Sequence, residues 1–198
     1  MREALSQRRM VRSFDGRPVD PDVLEGLCAE SLRAPTAGNA AGVSMAVVPP
    51  DLVAAFFDAA TDEAWRASAP RADGLARAGA AVIVTSDPAA YLRRYGEGDK
   101  SGSGLSVESA WPVPYWHTDA AMATMALLLL LEESRLQATL WGAFRREQQI
   151  LDFAGAPRHE RLFASVIVGH GDGRDRRSAS LDRATPARVD RVRRVGVQ

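Results

Sequence analysis

Cysteine occurs once, at Cys28, so neither an internal disulfide framework nor a multi-cysteine metal site can form. A reducing, cytoplasmic setting is the simplest expectation. Lysine also occurs once, at Lys100, against 24 arginines; with 34 alanines, this bias fits a GC-rich coding sequence. Net charge is zero, which removes a chain-wide electrostatic case for DNA, RNA or an anionic membrane as partner. No long apolar run exists. Ala120 to Leu131 covers 12 residues between Asp119 and Glu132, and a bilayer span needs about 20. The run reads as a buried core helix. Met1 to Arg12 carries charges with no apolar stretch behind it, so no signal peptide is expected. The three histidines show no metal-ligand spacing, and no metal site is expected. No Gly-x-Ser-x-Gly elbow or Walker loop occurs. Gly169, Gly171 and Gly173 follow a late strand and precede no helix, so they fail the dinucleotide fingerprint.

The 198 residues fit a single domain, residues 1–198, since domains usually run ~100–200 residues. Hydrophobic residues make up 46% and charged residues 25%, an ordinary globular balance. The charge is uneven, because residues 171–198 hold eight arginines against four aspartates.

Periodicity predicts a short helix near residues 3–7 and a longer one from Asp20 to Arg33, with Asp20 as N-cap. Pro35 ends the second helix. Val43 to Val48 reads as a strand, Pro50 through Trp65 as helical, and Leu75 to Ala78 as the end of another helical stretch. The β-branched run Ala80 to Thr85 reads as a buried strand. Residues 96–106 form a Gly/Ser loop, and Trp111 to Trp116 is stiff and non-helical. Asp119 to Leu136 is the central helix, apolar on nearly every side. A strand from Ala138 to Trp141, a helix from Arg146 to Phe153 and a strand from Leu162 to Val168 follow. Arg188 to Val197 alternates enough for an edge strand. This order points to an α+β or α/β domain packed in layers.

Four segments could carry chemistry, and each also fits a plain structural use. Arg8 and Arg12 are four apart, so one helical turn would put both guanidiniums on one face, as a phosphate requires. A solvated basic helix end is the other reading. Ala34-Pro35-Thr36-Ala37-Gly38-Asn39 would expose backbone amides and an Asn amide suited to a heteroaromatic edge. It also fits an ordinary turn. In Leu140-Trp141-Gly142 the glycine would admit a flat ligand, or simply end a strand. Arg174-Asp175-Arg176-Arg177 would add phosphate contacts, or be a solvated tail.

Taken in order, these segments resemble the FMN-dependent nitroreductase family over nearly the whole chain. The family's Arg-Arg-Ser-x-Arg-x-Phe stands here as Arg8-Arg9-Met10-Val11-Arg12-Ser13-Phe14, and its Ala-Pro-Ser-x-x-Asn as Ala34 to Asn39. Its Asp-x-x-x-Ala helix stands as Asp119 to Ala123, its strand-to-Gly segment as Leu140-Trp141-Gly142, and its closing Leu-Gly as Val168-Gly169. The resemblance implies an α+β fold with a central, mostly antiparallel sheet flanked by helices. It implies a homodimer with FMN at the interface and a C-terminal tail crossing to the partner subunit. Arg8, Arg9 and Arg12 match positions holding the flavin phosphate and pyrimidine edge, with Met10 between them. Pro35, Thr36 and Asn39 match the loop that meets the ring. Trp141 and Gly142 match the backbone beside the reactive nitrogen, and Arg176 or Arg177 the tail phosphate contact. The implied activity passes electrons from NADH or NADPH through FMN to a small acceptor, such as a nitroaromatic or a quinone. Its chemistry is flavin-based and needs no protein nucleophile.

Two positions depart from the pattern. Met10 replaces the usual Ser, and Ala40-Ala41-Gly42-Val43 replaces Ser-Gln-Pro-Trp. They motivate an alternative, a flavin-binding protein of this fold without reductase turnover. A nucleic-acid-binding regulator using the arginine-rich tail is the alternative from another class.

Overall fold

The computed structural model describes residues 1–142, 145–175, 178–185, 187–192 and 194–195. Its centre is a four-stranded sheet of β1 (Val43–Val48), β2 (Ala80–Ser86), β3 (Gln137–Trp141) and β4 (Arg161–Gly169), in the order β1-β2-β4-β3. Every pairing between these strands is antiparallel, which makes the fold α+β.

The helices are α1 (Arg2–Gln7), α2 (Pro21–Ser31), α3 (Val53–Ala60), α4 (Glu63–Ser68), α5 (Ala72–Ala76), α6 (Pro88–Tyr95), α7 (Tyr115–Glu133) and α8 (Glu147–Phe153). They form layers on the two faces of the sheet. The period-two alternation of β2 and β4 sorts the core. Ala80, Val82, Val84, Val166 and Val168 face α2 and α7, packing on Leu24, Leu127 and Leu131. Ala81, Ile83 and Ile167 face the other way, onto Phe56, Phe57, Leu75 and Ile150. All seven β2 residues are buried, as a strand covered on both faces must be. Each fully buried Val, Ile, Leu or Phe is worth about 1.5–3 kcal/mol of transfer free energy.

Several boundaries differ from those expected, each for a local reason. The central helix starts at Tyr115, taking in Tyr115 and Trp116, because the prolines that bar a helix lie before that point, at 112 and 114. It stops before Leu136 because Arg135 turns left-handed (φ 60°) and the Leu136 N–H bonds Leu131 O, a Schellman-type cap. The helical stretch expected through Trp65 breaks at extended Thr61, and Asp62 caps a new helix by accepting the Trp65 N–H. Helix α6 was not expected. Its signal was Asp87-Pro88, an N-cap with proline at the first helical position. In the tail, Val189–Arg191 forms a single 3-10 turn where an edge strand was expected. Its exposed valines, Val189, Val192 and Val195, recur every three residues rather than every two.

Candidate functional site

The basic segment after α1 is not helical. Arg8 leaves helical geometry (φ −48°, ψ 128°), and the chain runs on to Phe14 as an arm beside β3. Met10 bridges Ala138 in parallel, Val11 N–H bonds Ala138 O (3.0 Å), and Phe14 bridges Gly171. The expected helical pairing of Arg8 and Arg12 is therefore corrected. In an extended chain the two still share a side, but roughly 13 Å apart rather than one turn. That spacing suits an elongated ligand with anionic and polar ends.

The four arm residues have different surroundings. Arg8 is half-buried, and its Nε and Nη1 are buried with no hydrogen-bond partner among the described residues. Arg9 is exposed and spends Nη1 on the Ser6, Gln7 and Arg8 carbonyls at the end of α1. The Met10 sulfur accepts the Leu140 N–H at 3.4 Å, turning this side chain onto β3. Arg12 donates from Nη1 to Met10 O, and its backbone N–H donates to Asp175 (3.0 Å). Burial and the nearby Arg71 push the Arg12 guanidinium down from its usual value, and Asp175 partly offsets them.

The segment 170–175 clamps the arm from the other side. The Ser13 hydroxyl donates to Asp172 Oδ2 (2.8 Å), and the Asp15 N–H bonds His170 O. Arg77 pairs with Asp172 at 2.9 Å, while Arg71 lies 3.9 Å from Asp175. Gly74 is what lets the arm pass, since a Cβ there would stand 2.5 Å from Arg12 O.

Arg12, Trp141 and Gly142 come together in one cleft of about 560 Å³. That volume lies within the ~300–1,000 Å³ of small-molecule sites. Trp65 and Trp141 supply aromatic wall, with ring centroids 5.7 Å apart. The sequence reading missed Trp65, Arg145 and Arg146. Arg145 and Arg146 carry no motif of their own, and only the turn after β3 brings them to the cleft.

The Pro35–Asn39 loop lies elsewhere. It leads into β1 at one edge of the sheet, whereas Trp141 ends β3 at the other, three strand spacings or roughly 14 Å away. The loop is built on α6 and α7. Ala37 N–H and the Tyr91 hydroxyl both donate to Asp119 Oδ2, at 2.7 and 2.8 Å, and Arg94 Nε donates to Gly38 O. Asp119 is buried, and burial plus this carboxylate push the Tyr91 phenol up, keeping it a donor. Asn39 is exposed and left-handed (φ 56°), with Thr36 O accepting its N–H. An Asp119→Ala variant strands one buried donor, the Tyr91 hydroxyl, and one half-buried donor, the Ala37 N–H. We expect it to lose about 2–4 kcal/mol of unfolding free energy, and Asp119→Asn less than half of that. Denaturant midpoints check both.

Arg176 and Arg177, expected to contact the phosphate, lie outside the described residues. The other residues fit a flavin mononucleotide in chemical kind. Arg8 offers orphaned buried N–H donors for a phosphate, Arg12 and the cleft offer cationic and main-chain groups, and the two indoles offer flat apolar wall.

Comparison with known proteins identifies the fold and the family. The family model described as nitroreductase family matches residues 5–170. No curated protein sequence matches the chain. A nitroreductase family protein from Streptococcus pneumoniae superposes with a TM-score of 0.70 at 17% identity, covering 97% of this chain and 98% of that one. The nitroreductase CinD from Lactococcus lactis, solved with nicotinic acid, gives 0.70 at 18% identity, covering 93% and 98%. A nitroreductase-like family protein from Bacillus cereus gives 0.69 at 14% identity, covering 99% and 96%.

Proposed function

This chain belongs to the nitroreductase family, and from that membership we propose an FMN-dependent oxidoreductase that carries electrons from NADH or NADPH to a small aromatic acceptor. The observation that carries the reading is the cleft lined by Arg12, Trp141 and Gly142, together with a second guanidinium farther along the same arm, Arg8, whose Nε and Nη1 are buried without a partner among the described residues. A buried donor without an acceptor costs about 1–3 kcal/mol, and a ligand oxygen removes that cost.

When bound, FMN supplies the two-electron chemistry, accepting hydride from the nicotinamide and passing electrons to the acceptor. The protein's part is binding and electrostatics. Arg8 holds the phosphate through its orphaned N–H groups, with Arg9 beside it at the surface. Arg12 faces the pyrimidine edge, where its cation favours added negative charge. Gly142 lets a flat ring approach the main chain. Met10 acts indirectly, its sulfur pinning the arm to Leu140. Arg176 or Arg177 adds a phosphate contact from the tail.

The sheet geometry supports a homodimer as the working unit. Arg12 and Asn39 stand at opposite sheet edges, an arrangement that fits a Pro35-Thr36-Asn39 loop supplied to the ring by a second copy. Val189, Val192 and Val195, each over 70% exposed, give the tail an apolar side for that copy to cover. The L. lactis protein was solved with nicotinic acid and with 4-nitrophenol. Both are small aromatic molecules, consistent with a nitroaromatic or quinone acceptor here.

The test is a titration with FMN. A hundred-fold excess over Kd adds about 2.7 kcal/mol of stability, a rise in Tm of roughly 5–10 °C for a chain this long. The purified protein should also show flavin absorbance. A colourless protein whose Tm ignores FMN contradicts the proposal. Met10 keeps one rival alive, a flavin binder without turnover. That rival predicts the Tm rise but no NADH or NADPH oxidation in the presence of a quinone.

A further inference from the structure

Three guanidiniums, from Arg12, Arg145 and Arg146, line the same cleft. Asp62 is the carboxylate among its lining residues, and that group already accepts the Trp65 N–H to cap α4. Arg145 is exposed and makes no hydrogen bond or ion pair among the described residues. Arg146 holds a left-handed backbone (φ 58°), a conformation that strains a non-glycine residue. Its Nε donates to Ala59 O at 2.7 Å, docking the turn after β3 on the end of α3. Among the described residues, that bond leaves both terminal Nη groups of Arg146 without a hydrogen-bond partner. Asp175, the nearest counter-charge to Arg12, is itself shared with Arg71.

Two cations beyond Arg12 therefore stand, without carboxylate partners among the described residues, in a cleft walled by Trp65 and Trp141. In a chain of zero net charge this surplus is local and unneutralised. Guanidiniums bind carboxylates and phenolates through paired N–H donors, and indole faces accept flat rings. We propose that Arg145 and Arg146 select the acceptor, and that the acceptor class is an aromatic anion, a ring bearing a carboxylate or phenolate group. This rests on the reading of the cleft as the flavin site; it adds what enters beside the flavin. The strained Arg146 backbone fits the same role, since such strain is retained where a side chain must be aimed.

Calorimetric titration of the FMN-supplemented protein with 4-nitrobenzoate and 4-nitrobenzamide tests the proposal, because the two probes differ mainly in charge. The wild type should bind the anion about tenfold more tightly, the effect of one charge-assisted hydrogen bond. Arg145→Gln should shrink that preference several-fold, and Arg145→Gln with Arg146→Gln should abolish it. Arg146→Lys, which keeps the charge, should retain most of it. Equal affinities in the wild type, or an unchanged preference in the double variant, overturn the proposal. So does an effect of Arg145→Gln confined to NADPH against NADH, which would assign the arginines to a donor phosphate. The flavin spectrum, recorded on the same samples, separates the two readings. Anion preference without bound FMN leaves the arginine site standing and removes the flavoenzyme assignment. Bound FMN without anion preference does the reverse.

Discussion

Arg8→Ala should weaken FMN binding by roughly 30- to 1,000-fold while leaving riboflavin binding nearly unchanged. Truncating one side of a buried, charge-assisted pair costs about 2–4 kcal/mol, and each 1.4 kcal/mol is a factor of ten. The buried, unpartnered Nε and Nη1 of Arg8 make it the arm residue best equipped to lose that much. Arg9 already spends Nη1 on three carbonyls, and Arg12 on Met10 O. Riboflavin lacks the phosphate, so flavin fluorescence quenching with the two ligands isolates that contact. If both ligands weaken equally, Arg8 acts on the ring or on the fold, and the phosphate assignment fails. Arg12→Ala should behave differently and weaken both ligands, because Arg12 lines the cleft.

Phe14→Ala should be the most damaging single change to stability in the arm. Phe14 is fully buried in the cluster that includes Phe56 and Ile83, and its ring fills the space over Gly169. A Cβ at Gly169 would come within 2.9 Å of that ring, so the two positions fit each other as large against small. Phe→Ala in a packed core costs about 3–5 kcal/mol, a fall in Tm of roughly 6–20 °C at this chain length. Phe14→Leu should cost less than half as much. The change should also reach the cleft, because Phe14 anchors the strand carrying Arg12 two residues away. FMN affinity should fall in Phe14→Ala even at temperatures where the fold is intact. Thermal unfolding and a low-temperature FMN titration check the two parts separately.

The strands were legible because their β-branched runs are short and bounded, and β1 needed no adjustment at either end. Resemblance in the ordered motifs led to the α+β class and to Arg12, Trp141 and Gly142, which meet in one cleft. Other features were hidden for physical reasons. The spacing of Arg8 and Arg12 suits a helix as well as a strand, and only pairing with Ala138 and Gly171 decides it. Met10 stood out as a departure, yet its bond to Leu140 spans 130 positions and leaves no local trace. Arg146 read as the first residue of a helix, and Arg145 belonged to no motif. Their place at the cleft depends on the left-handed turn at Arg146, a conformation usually expected of glycine or asparagine. Helix α6 was readable from Asp87-Pro88, but its work is tertiary. Tyr91 and Arg94 hold the loop that carries Asn39.

The clamp around residues 10–15 also bears on the order in which the chain can fold. Its partners are Ala138, at the sheet edge, and His170 to Asp175, far along the chain. Contacts of such long separation are entropically late and slow folding relative to local ones. During synthesis the arm emerges first but finds its partners only after β3, β4 and the segment beyond them have left the ribosome. Until then the guanidiniums of Arg8 and Arg12 are carried on an unpaired strand. The Arg12 side of the cleft thus takes shape only after the segment to Asp175 is in place.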